Sequence, residues 1–385
     1  MRTYLDYAAT SPVDPEVLKT MMTHLSGTFG NPSSLYREGR ESAKVIEEAR
    51  EKIAHFAGAD HDEIIFTSGG TESNNTAIKG VAFAKKEKGS HIITSSIEHH
   101  AVTEPCRFLR GQGFNITFLP VDRHGLVDPD HVKKAITGKT ILITIMHANN
   151  EIGTIQHIKE IGAIAREAGV CFHTDAVQTF GHLRLNVDEL NVDLMSASAH
   201  KLCGPKGTGV LYARKGVRFT PLLAGGDQER NRRASTENVP AIAGLGKAVE
   251  LAGEKMDEEA ARLGGLRDKL IKTLFEKIDN IYLNGHPERR LPNNANISIE
   301  FVEGESLVLN LDMEGISVST GSACTSSSLE PSHVLKALGM EPELAHGSLR
   351  VTSGRFTREE DIDNLCDVLP AVVKKLRAMS PLYKK

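Results

Sequence analysis

Lys201 and Asp175 are two residues whose side chains could act together on one cofactor. Asp175 follows the apolar run at 170–174, and Lys201 follows the run at 192–199. A lysine amine is protonated at neutral pH, but a site that disfavours its charge makes it a nucleophile that can form a Schiff base. Pyridoxal phosphate requires such a lysine, a carboxylate beside its ring nitrogen, and hydroxyl and N–H groups around its phosphate. The pair therefore indicates a pyridoxal phosphate site.

Either residue alone has an ordinary interpretation, with Asp175 capping a strand end and Lys201 exposed in a loop. The pair is flanked by Ser198, His200 and Gln178, and this combination favours the cofactor site. In an open α/β sheet, ligands bind at the carboxyl ends of the strands. We therefore expect both residues at a ligand-binding edge of a sheet.

The pattern along the chain is an alternation of helices and strands. Residues 41–56 carry apolar side chains at helical spacing, with Glu and Lys on the outer face. Further helices are expected at 71–85 and 158–168, and strands at 64–66, 91–95, 116–119, 140–146, 170–174, 194–197 and 209–212. This alternation predicts a largely parallel sheet with right-handed crossovers.

The last third of the chain predicts a smaller α/β unit. Residues 240–278 are helix-rich, with Gly264-Gly265 as an expected interruption. Beyond them we expect a helix at 305–312 and strands at 295–302, 316–319 and 348–352. Thr357 and Glu360 are spaced as a capping box that would open a final helix.

Four motifs give the sequence a family resemblance. Asp175-Ala-Val-Gln178, Ser198-Ala-His200-Lys201 and Gly204-Pro-Lys-Gly-Thr-Gly209 resemble the cofactor site of class V, fold-type I pyridoxal phosphate enzymes. The stretch from Gly321 to Ser332, with Cys324 inside it, is similar to the extended cysteine loop of the cysteine desulfurases of the NifS and IscS group. The resemblance runs from Tyr4 to Arg350, which is nearly the whole chain.

The resemblance implies an α/β fold with two domains. The large cofactor-binding domain would span 16–259 and contain a mostly parallel sheet flanked by helices. The smaller α/β domain would combine 1–15 with 260–385 and carry the catalytic-cysteine loop.

A glycine-rich turn marks the expected phosphate end of the site. Thr67-Ser-Gly-Gly70-Thr71 follows a strand and opens a helix, where free N–H groups and the helix dipole can meet an anion. The resemblance assigns Gly70, Thr71, Ser198 and His200 to the phosphate. It also assigns Thr236 to the phosphate of the neighbouring subunit, which would make the enzyme a homodimer. A nucleotide-binding loop at 204–209 is disfavoured, because the Walker spacing is missing and a strand follows.

The resemblance also assigns contacts around the cofactor ring. His99 would stack on the ring and move protons, since an imidazole titrates near neutrality. Gln178 would donate to the phenolic oxygen, and Asn150 rather than Asn149 would lie at the same edge and contact the substrate. A metal site at His99 and His100 is disfavoured, because adjacent residues of a strand point to opposite faces.

Recognition of a substrate carboxylate calls for a cation with two parallel donors, which a guanidinium supplies. The resemblance assigns this role to Arg350, with help from Asn31. Arg355, in Ser-Gly-Arg-Phe, is an exposed-looking alternative. An ordinary ion pair is the competing interpretation of Arg350.

Cys324 is the expected nucleophile. It lies in Gly321-Ser-Ala-Cys-Thr-Ser-Ser-Ser, a small and polar stretch in which a thiol would be accessible. Cys171 lies in a strand and Cys366 on the apolar face of the last helix, so both are expected to be small core residues. Cys203 is close to Lys201, but the resemblance gives it no role.

The implied activity is conversion of L-cysteine to L-alanine with a persulfide left on Cys324. The substrate amine would displace Lys201, which then moves the Cα proton, while Asp175 keeps the ring nitrogen protonated. The sulfur would supply iron–sulfur cluster assembly or another thiolation through an acceptor or scaffold protein, and Cys324 could transiently ligate a cluster; no other metal site is expected. The alternatives are a selenocysteine lyase, a class V aminotransferase, or a non-catalytic sulfur-trafficking scaffold.

Composition is that of an ordinary globular protein. The 385 residues are 40% hydrophobic and 25% charged, with a net charge of −4, which gives no reason to expect nucleic acid or an anionic membrane as partner. Apolar runs such as 141–146 have the length of a strand, and the amino terminus has no apolar signal core. Five widely spaced cysteines argue against a disulfide framework and favour the cytoplasm.

Overall fold

The structure is a computed structural model that describes residues 2–321, 331–381 and 383. Its strands are β1 (Thr3–Tyr4), β2 (Ile64–Thr67), β3 (His91–Ser95), β4 (Asn115–Leu119), β5 (Thr140–Thr144), β6 (Cys171–Asp175), β7 (Leu194–Ser198), β8 (Gly209–Ala213), β9 (Ile281–Asn284), β10 (Asn294–Ile299), β11 (Ile316–Ser317) and β12 (Ser348–Thr352). Its α-helices are α1 (Pro15–Ser26), α2 (Arg37–Ala57), α3 (Gly70–Ala84), α4 (His100–Gly111), α5 (Pro129–Ala135), α6 (Ile158–Glu167), α7 (Gln228–Asn231), α8 (Val239–Lys277), α9 (Gly304–Met313), α10 (His333–Ala337), α11 (Pro342–His346) and α12 (Glu359–Met379).

A seven-stranded sheet forms the centre of the molecule, in the order β2-β8-β7-β6-β5-β3-β4. Strand β8 runs antiparallel to both of its neighbours, and the pairs from β7 to β4 are parallel. The alternation of helices and strands in the sequence produces this arrangement, because parallel neighbours need a crossover connection. The predicted fold class, an α/β fold with a mostly parallel sheet flanked by helices, is confirmed.

Both faces of this sheet are buried under helices. Ile64 and Phe66 of β2 pack on one side in a core with residues of α2 and α8, and Ile65 packs on the other side with residues of α3 and α4. This division follows from the strand geometry, in which successive side chains point to opposite faces. The continuous apolar character of these strands therefore reflects burial on both faces.

A second core lies in the carboxyl-terminal part of the chain. The antiparallel sheet β12-β10-β9 packs there with α9 and α12, and Leu5 joins the same core beside β1, which pairs in parallel with β11. Helix α8 contributes to both cores, with Leu245 and Val249 in the first and Leu263 and Leu266 in the second. The predicted boundary at 259/260 falls within this helix.

Two local predictions in this part are wrong. Helix α8 is continuous through Gly264-Gly265, because Leu263 and Leu266 are buried beside them and packing outweighs a propensity cost of about 1 kcal/mol per glycine. The capping box at α12 is shifted by one residue. Asp361 accepts a hydrogen bond from the Arg358 N–H at 2.8 Å, whereas the Thr357 hydroxyl accepts one from the Gly354 N–H.

The carboxyl ends of β3, β5, β6 and β7 meet at one edge of the central sheet, since these strands are parallel. His99 follows β3, Asn150 follows β5, Asp175 is the last residue of β6, and Ser198 is the last residue of β7. The fold therefore brings together residues from four separate parts of the sequence. No helix in the described part of the chain has both the length and the apolarity to cross a bilayer.

Candidate active site

A cavity of about 270 Å³ opens at this sheet edge. Ten of the residues predicted from the sequence line it: Gly70, Thr71, His99, Asn150, Asp175, Gln178, Ser198, His200, Lys201 and Arg350. The cavity also contains residues that the sequence did not single out, namely Asn74, Ala8 and Ala9. The expected cofactor and substrate residues are therefore neighbours in space.

Lys201 reaches the cavity from a short 3₁₀ turn directly after β7. Its Nζ donates hydrogen bonds to the carbonyl oxygens of Ala8, at 2.5 Å, and Ala9, at 2.7 Å. Gln178 Nε2 donates to the same Ala8 carbonyl at 3.1 Å. The amino-terminal segment thus orients the amine. No side-chain signal could have indicated these two alanines, because they act through their backbones.

Asp175 also lines the cavity and is held in a defined orientation. Its Oδ1 accepts a hydrogen bond from the Val177 N–H at 2.9 Å, and its Oδ2 accepts one from Asn74 Nδ2 at 2.6 Å. Both side chains are buried, so the carboxylate is held by protein donors rather than by bulk water. No pattern in the sequence indicated Asn74, which lies one helical turn after Gly70 in α3 and therefore on the same face of the helix.

The glycine-rich turn leaves room for a ligand at the amino end of α3. Gly69 has a φ of +148°, which favours glycine, and a Cβ placed on Gly70 would come within 2.6 Å of Val177 Cγ2. Backbone N–H groups therefore approach the cavity closely, as anion binding at a helix amino terminus requires. Ser198 adds a hydroxyl at the carboxyl end of β7.

His200 completes this end of the cavity. Its Nδ1 lies 3.1 Å from Thr10 Oγ1. Burial lowers the pKa of His200 to about 4, and the nearby charges of Lys201 and Lys206 act in the same direction. The ring is therefore neutral near pH 7 and can offer a hydrogen bond without adding a charge.

His99 is the N-cap residue of α4, and its Nδ1 accepts a hydrogen bond from the Ala101 N–H at 3.0 Å. In the neutral ring the hydrogen must then be on Nε2. Burial lowers the pKa of His99, with a smaller opposing effect from Asp175 and a reinforcing one from Lys201. His99 is therefore a neutral imidazole of defined tautomer.

The predicted strand at His99 and His100 is wrong, because His99 caps α4 and His100 is its first residue. The His100 ring lies 5.2 Å from the His333 ring, centroid to centroid, and does not line the cavity. Across the described residues, no group of three His, Cys, Asp or Glu side chains is placed to hold a metal ion.

The choice between Asn149 and Asn150 is resolved by their positions. Asn150 lines the cavity. Asn149 is fully buried, donates from Nδ2 to the Ile97 carbonyl at 2.9 Å, and accepts through Oδ1 from the N–H groups of Glu151 and Ile152. The Asn149 side chain thus stabilises a turn, whereas Asn150 lines the cavity.

Arg350 lies in β12 and only 2% of its side chain is exposed. Its Nη2 forms an ion pair with Asp6 at 2.9 Å, and its Nη1 donates to the carbonyls of Asn150 at 3.2 Å and Gly321 at 3.1 Å. Arg350 Nε and Asn74 Oδ1 are buried polar atoms without a hydrogen-bond partner among the residues described. Both residues line the cavity, so each has capacity to bind a ligand.

The expectation that Arg355 is an exposed alternative is wrong. Its side chain is 10% exposed, with Nη1 3.0 Å from Asp14 Oδ2 and Nε 2.8 Å from Glu259 Oε1. Both carboxylates come from distant parts of the sequence, which is why the local motif gave no sign of them. Arg355 is therefore committed to joining α1 and α8.

Three predicted site residues are not part of this cavity as described. Asn31 is exposed, and its Oδ1 accepts from the Ser33 N–H at 3.0 Å. Thr236 is also exposed and does not line the cavity. Cys324 lies outside the described residues. The roles assigned to all three stay predictions.

The four cysteines that the structure describes are free and buried. Burial raises the pKa of Cys106 and Cys171 to about 12 each, and also raises the pKa of Cys203 and Cys366. These thiols therefore remain protonated at neutral pH and are poor nucleophiles. Cys203 sits near Lys201 in sequence, but it is only 4% exposed.

Comparison with known proteins gives the family. Residues 3–365 match the family model described as aminotransferase class-V. A protein named cysteine desulfurase IscS from Dictyoglomus turgidum is 61% identical over 382 residues, which cover 99% of this chain and 97% of the relative.

Solved structures agree with this match. A NifS-like protein has a TM-score of 0.90 at 37% identity and covers 98% of this chain and 99% of its own. A structure described as SspA in complex with cysteine has a TM-score of 0.80 at 40% identity and covers 91% of this chain and 98% of its own. The chain belongs to the class-V aminotransferase family and, within it, to the cysteine desulfurases.

Proposed function

We propose that the protein is a pyridoxal phosphate-dependent enzyme that converts L-cysteine to L-alanine and retains the sulfur as a persulfide on Cys324. The observation that carries the proposal is the placement of Lys201 and Asp175 in one cavity, at the ends of adjacent parallel strands. The name of the relative from Dictyoglomus turgidum and the cysteine complex of SspA support the choice of reaction and substrate.

The residues of the cavity fit pyridoxal phosphate. Gly70, Thr71, Ser198 and His200 would hold its phosphate, because they line the cavity where the amino end of α3 offers backbone N–H groups. Asp175 would hold the ring nitrogen. When bound, the cofactor supplies an electron sink for the bonds at the substrate Cα.

Gln178 and His99 would contact the rest of the ring. The Gln178 amide, oriented by its bond to the Ala8 carbonyl, would donate to the phenolic oxygen. His99 would lie on the ring face, with Nε2 available because Nδ1 is occupied by the Ala101 N–H. In this tautomer Nε2 carries the hydrogen, so His99 can donate a proton from Nε2 and take it back at the same nitrogen near the substrate.

Lys201 would hold the cofactor covalently and would be released when the substrate amine takes its place. Its Nζ then accepts the proton from the substrate Cα and can return a proton to the product. The Ala8 and Ala9 carbonyls stabilise the protonated amine, since they are hydrogen-bond acceptors at 2.5 and 2.7 Å. They would thus keep Lys201 inside the cavity between these two tasks.

The sulfur step would be carried out by the Cys324 thiolate. It attacks the substrate sulfur, an S–S bond forms as the Cβ–S bond breaks, and a proton is delivered to Cβ to give alanine. The Arg350 guanidinium would bind the substrate carboxylate, beginning with its unpaired Nε. Asn150 and Asn31 would also contact the substrate.

We further propose that the enzyme is a homodimer in which Thr236 contacts the phosphate in the partner's cavity. Thr236 is exposed and does not line the cavity of its own chain, which suits a contact made across an interface. Large apolar side chains are also exposed near the amino terminus, including Leu25, Phe29 and Leu35, at 64%, 77% and 89%.

The sulfur would pass from Cys324 to an acceptor, which we propose to be a scaffold for iron–sulfur cluster assembly, in agreement with the IscS name of the relative. Free, reduced cysteines favour a cytoplasmic location for this chemistry.

The test is to load the purified full-length chain with pyridoxal phosphate, add L-cysteine, and assay alanine and protein-bound persulfide after one turnover. We expect one alanine and one persulfide per active site. Alanine formed without persulfide, or pyruvate formed by transamination of added alanine, would contradict the desulfurase assignment.

A further inference from the structure

A short turn near the amino terminus contacts both the lysine and the guanidinium of the cavity. The carbonyls of Ala8 and Ala9 accept hydrogen bonds from Lys201 Nζ at 2.5 and 2.7 Å. Asp6 Oδ1 pairs with Arg350 Nη2 at 2.9 Å. Lys201 follows β7 of the central sheet, and Arg350 lies on β12 in the sheet of the second core. The same turn therefore contacts side chains that come from two different sheets.

This amino-terminal turn, residues 6–10, is docked on β12 by Thr352. The Thr352 Oγ1 accepts a hydrogen bond from the Ala8 N–H at 2.9 Å, and its carbonyl accepts one from the Tyr7 N–H at 3.2 Å. Thr352 is fully buried and lies two residues after Arg350, so both side chains point to the same face of the strand. The strand that carries the guanidinium therefore also holds the turn.

The Tyr4 hydroxyl closes the amino-terminal turn. It donates to the carbonyls of Asp6, at 3.0 Å, and Thr10, at 2.8 Å. The Asp6 carbonyl also accepts from the Ala9 N–H at 3.1 Å. Burial, reinforced by the charge of Asp6, raises the pKa of Tyr4 to about 12, so the phenol keeps its hydrogen at neutral pH. One side chain outside the cavity thus stabilises the shape of the turn.

The other side of the turn contacts the loop that follows β7. Thr10 Oγ1 lies 3.1 Å from His200 Nδ1, and the Ser11 N–H and hydroxyl donate to the His200 carbonyl at 2.9 and 2.7 Å. Gln178 Nε2 donates to the Ala8 carbonyl at 3.1 Å. The turn is therefore hydrogen-bonded to both sides of the cavity, and a shift of β12 against this loop would strain it.

The geometry of an amino acid gives this connection a consequence for catalysis. The carboxylate and the amine of an α-amino acid are bonded to one carbon, so the sites that receive them must be matched closely in distance. A displacement of about 1 Å between reacting groups can cost on the order of a hundredfold in rate. In this protein the two sites come from different sheets, and the amino-terminal turn contacts both.

We propose that Thr352 and Tyr4 are positioning residues, which hold the turn so that the substrate amine meets the lysine-bound cofactor while Arg350 binds the substrate carboxylate. The inference rests on the proposed function for the roles of the lysine and the guanidinium, whereas the docking of the turn on β12 does not depend on it. An amine without a carboxylate does not use Arg350. Its reaction should therefore not depend on the turn.

The experiment uses the full-length holoenzyme and four variants. Thr352→Val removes the acceptor for the Ala8 N–H with little change in size, and Thr352→Ser keeps that acceptor. Tyr4→Phe removes the hydroxyl that closes the turn. Thr140→Val is the control, because the Thr140 hydroxyl also accepts a backbone N–H, from Thr137 at 2.8 Å, but at the end of β5 away from the cavity.

The kinetic measurement follows the change in visible absorption as the substrate amine displaces the lysine from the cofactor. It compares L-cysteine with cysteamine, which has the amine and the thiol but no carboxylate. Thr352→Val and Tyr4→Phe should lower the ratio of the two second-order rate constants, cysteine over cysteamine, by about tenfold. The rate constant for cysteamine should stay within about threefold of the parent. Thr352→Ser and Thr140→Val should keep the ratio within about twofold.

Three results would overturn the proposal. The first is an unchanged ratio in Thr352→Val or in Tyr4→Phe. The second is an equal loss in Thr352→Ser, which would show that the hydroxyl is not responsible. The third is a matching loss with both amines, which would indicate general damage to the site. If Thr352→Val does not fold, Tyr4→Phe decides the question, because it leaves the contacts on β12 in place.

Hydrogen–deuterium exchange of the apoenzyme tests the docking of the turn by itself. The Ala8 N–H should exchange faster in Thr352→Val than in the parent and should stay protected in Thr352→Ser. Equal protection in all three proteins would refute the docking. If L-cysteine gives no change in absorption with the parent holoenzyme, the proposed function fails, whereas the exchange measurement still decides whether Thr352 holds the turn.

Discussion

Asn74 donates a hydrogen bond to Asp175, with 2.6 Å between Nδ2 and Oδ2, and both residues are buried. A hydrogen bond to the ionised form of a carboxyl group stabilises that form. Asn74 therefore fixes the orientation of the Asp175 carboxylate in the cavity. A charged Asp175 is what a protonated ring nitrogen requires as its partner.

Substitution of Asn74 should weaken cofactor binding. Asn74→Ala removes a hydrogen bond to a charged group, which contributes about 1.5–3 kcal/mol, so the Kd for pyridoxal phosphate should rise by roughly tenfold to a hundredfold. Asp175→Ala should weaken binding further. The measurement is a titration of the apoenzyme with cofactor. Asn310→Ala, which removes an amide bonded to the Ser306 carbonyl on α9 and to Lys375 on α12, is the control, and an equal effect there would contradict the assignment.

Lys201 should be required for covalent attachment of the cofactor and for turnover. Lys201→Ala should reduce alanine formation below detection and abolish the visible absorption of the attached cofactor, because no other amine replaces Nζ. Circular dichroism and sedimentation should show a folded protein of unchanged mass, since Lys201 contacts backbone carbonyls rather than a core. Lys215→Ala, at an exposed lysine, is the control. Normal alanine production by the Lys201 variant would refute the cofactor assignment.

Cys324 should be the residue that receives the sulfur. Cys324→Ala should still bind cofactor and cysteine, because Lys201, Asp175 and Arg350 remain, but it should form no persulfide. Cys203→Ala and Cys171→Ala should retain sulfur transfer and lose about 1–3 kcal/mol of stability, since both thiols are buried. Mass spectrometry after one turnover locates the added sulfur. Its appearance on Cys203 would show that the nucleophile has been misassigned.

Glu98 should make the stability of the apoenzyme depend on pH. It is fully buried between the Ser95 hydroxyl and the Met146 N–H, and burial, aided by Asp175, raises its pKa from 4.5 to about 8. Between these values the folded protein binds one proton more than the unfolded chain. The free energy of unfolding should therefore fall as pH rises from 5 to 8, by at most about 1.4 kcal/mol per pH unit.

The measurement is urea denaturation of the parent and of Glu98→Gln at pH 5, 6.5 and 8, at one protein concentration. The amide does not titrate, so the variant should lose this contribution and gain stability relative to the parent as pH rises. The same pH dependence in both proteins would show that Glu98 is ionised in the folded state.

Much of the site could be predicted because its residues follow strands. Asp175 and Ser198 end apolar runs that form adjacent parallel strands, so their positions in sequence imply their proximity in space. Gly70 is likewise found from its turn between a strand and a helix. These predictions need only local patterns in the sequence.

Other features were decided by contacts between distant parts of the chain. Arg355 is enclosed by ion pairs with Asp14 and Glu259, and α8 continues through Gly264-Gly265 because its residues pack in two cores. Packing at these places outweighs local propensity, which amounts to about 1 kcal/mol for a glycine in a helix.

The sequence by itself determined the α/β fold, the lysine and carboxylate of the site, and the family, because these depend on periodicity and on the order of motifs. Only the tertiary structure showed that Asn74 supports Asp175, that backbone carbonyls of Ala8 and Ala9 hold Lys201, and that the Ser332 hydroxyl donates a hydrogen bond to Glu151. Each of these relationships links residues more than sixty positions apart or uses the backbone alone. Contacts between distant residues and contacts made by the backbone leave no pattern in the sequence, because a hydrogen bond depends on distance in space and not on spacing along the chain.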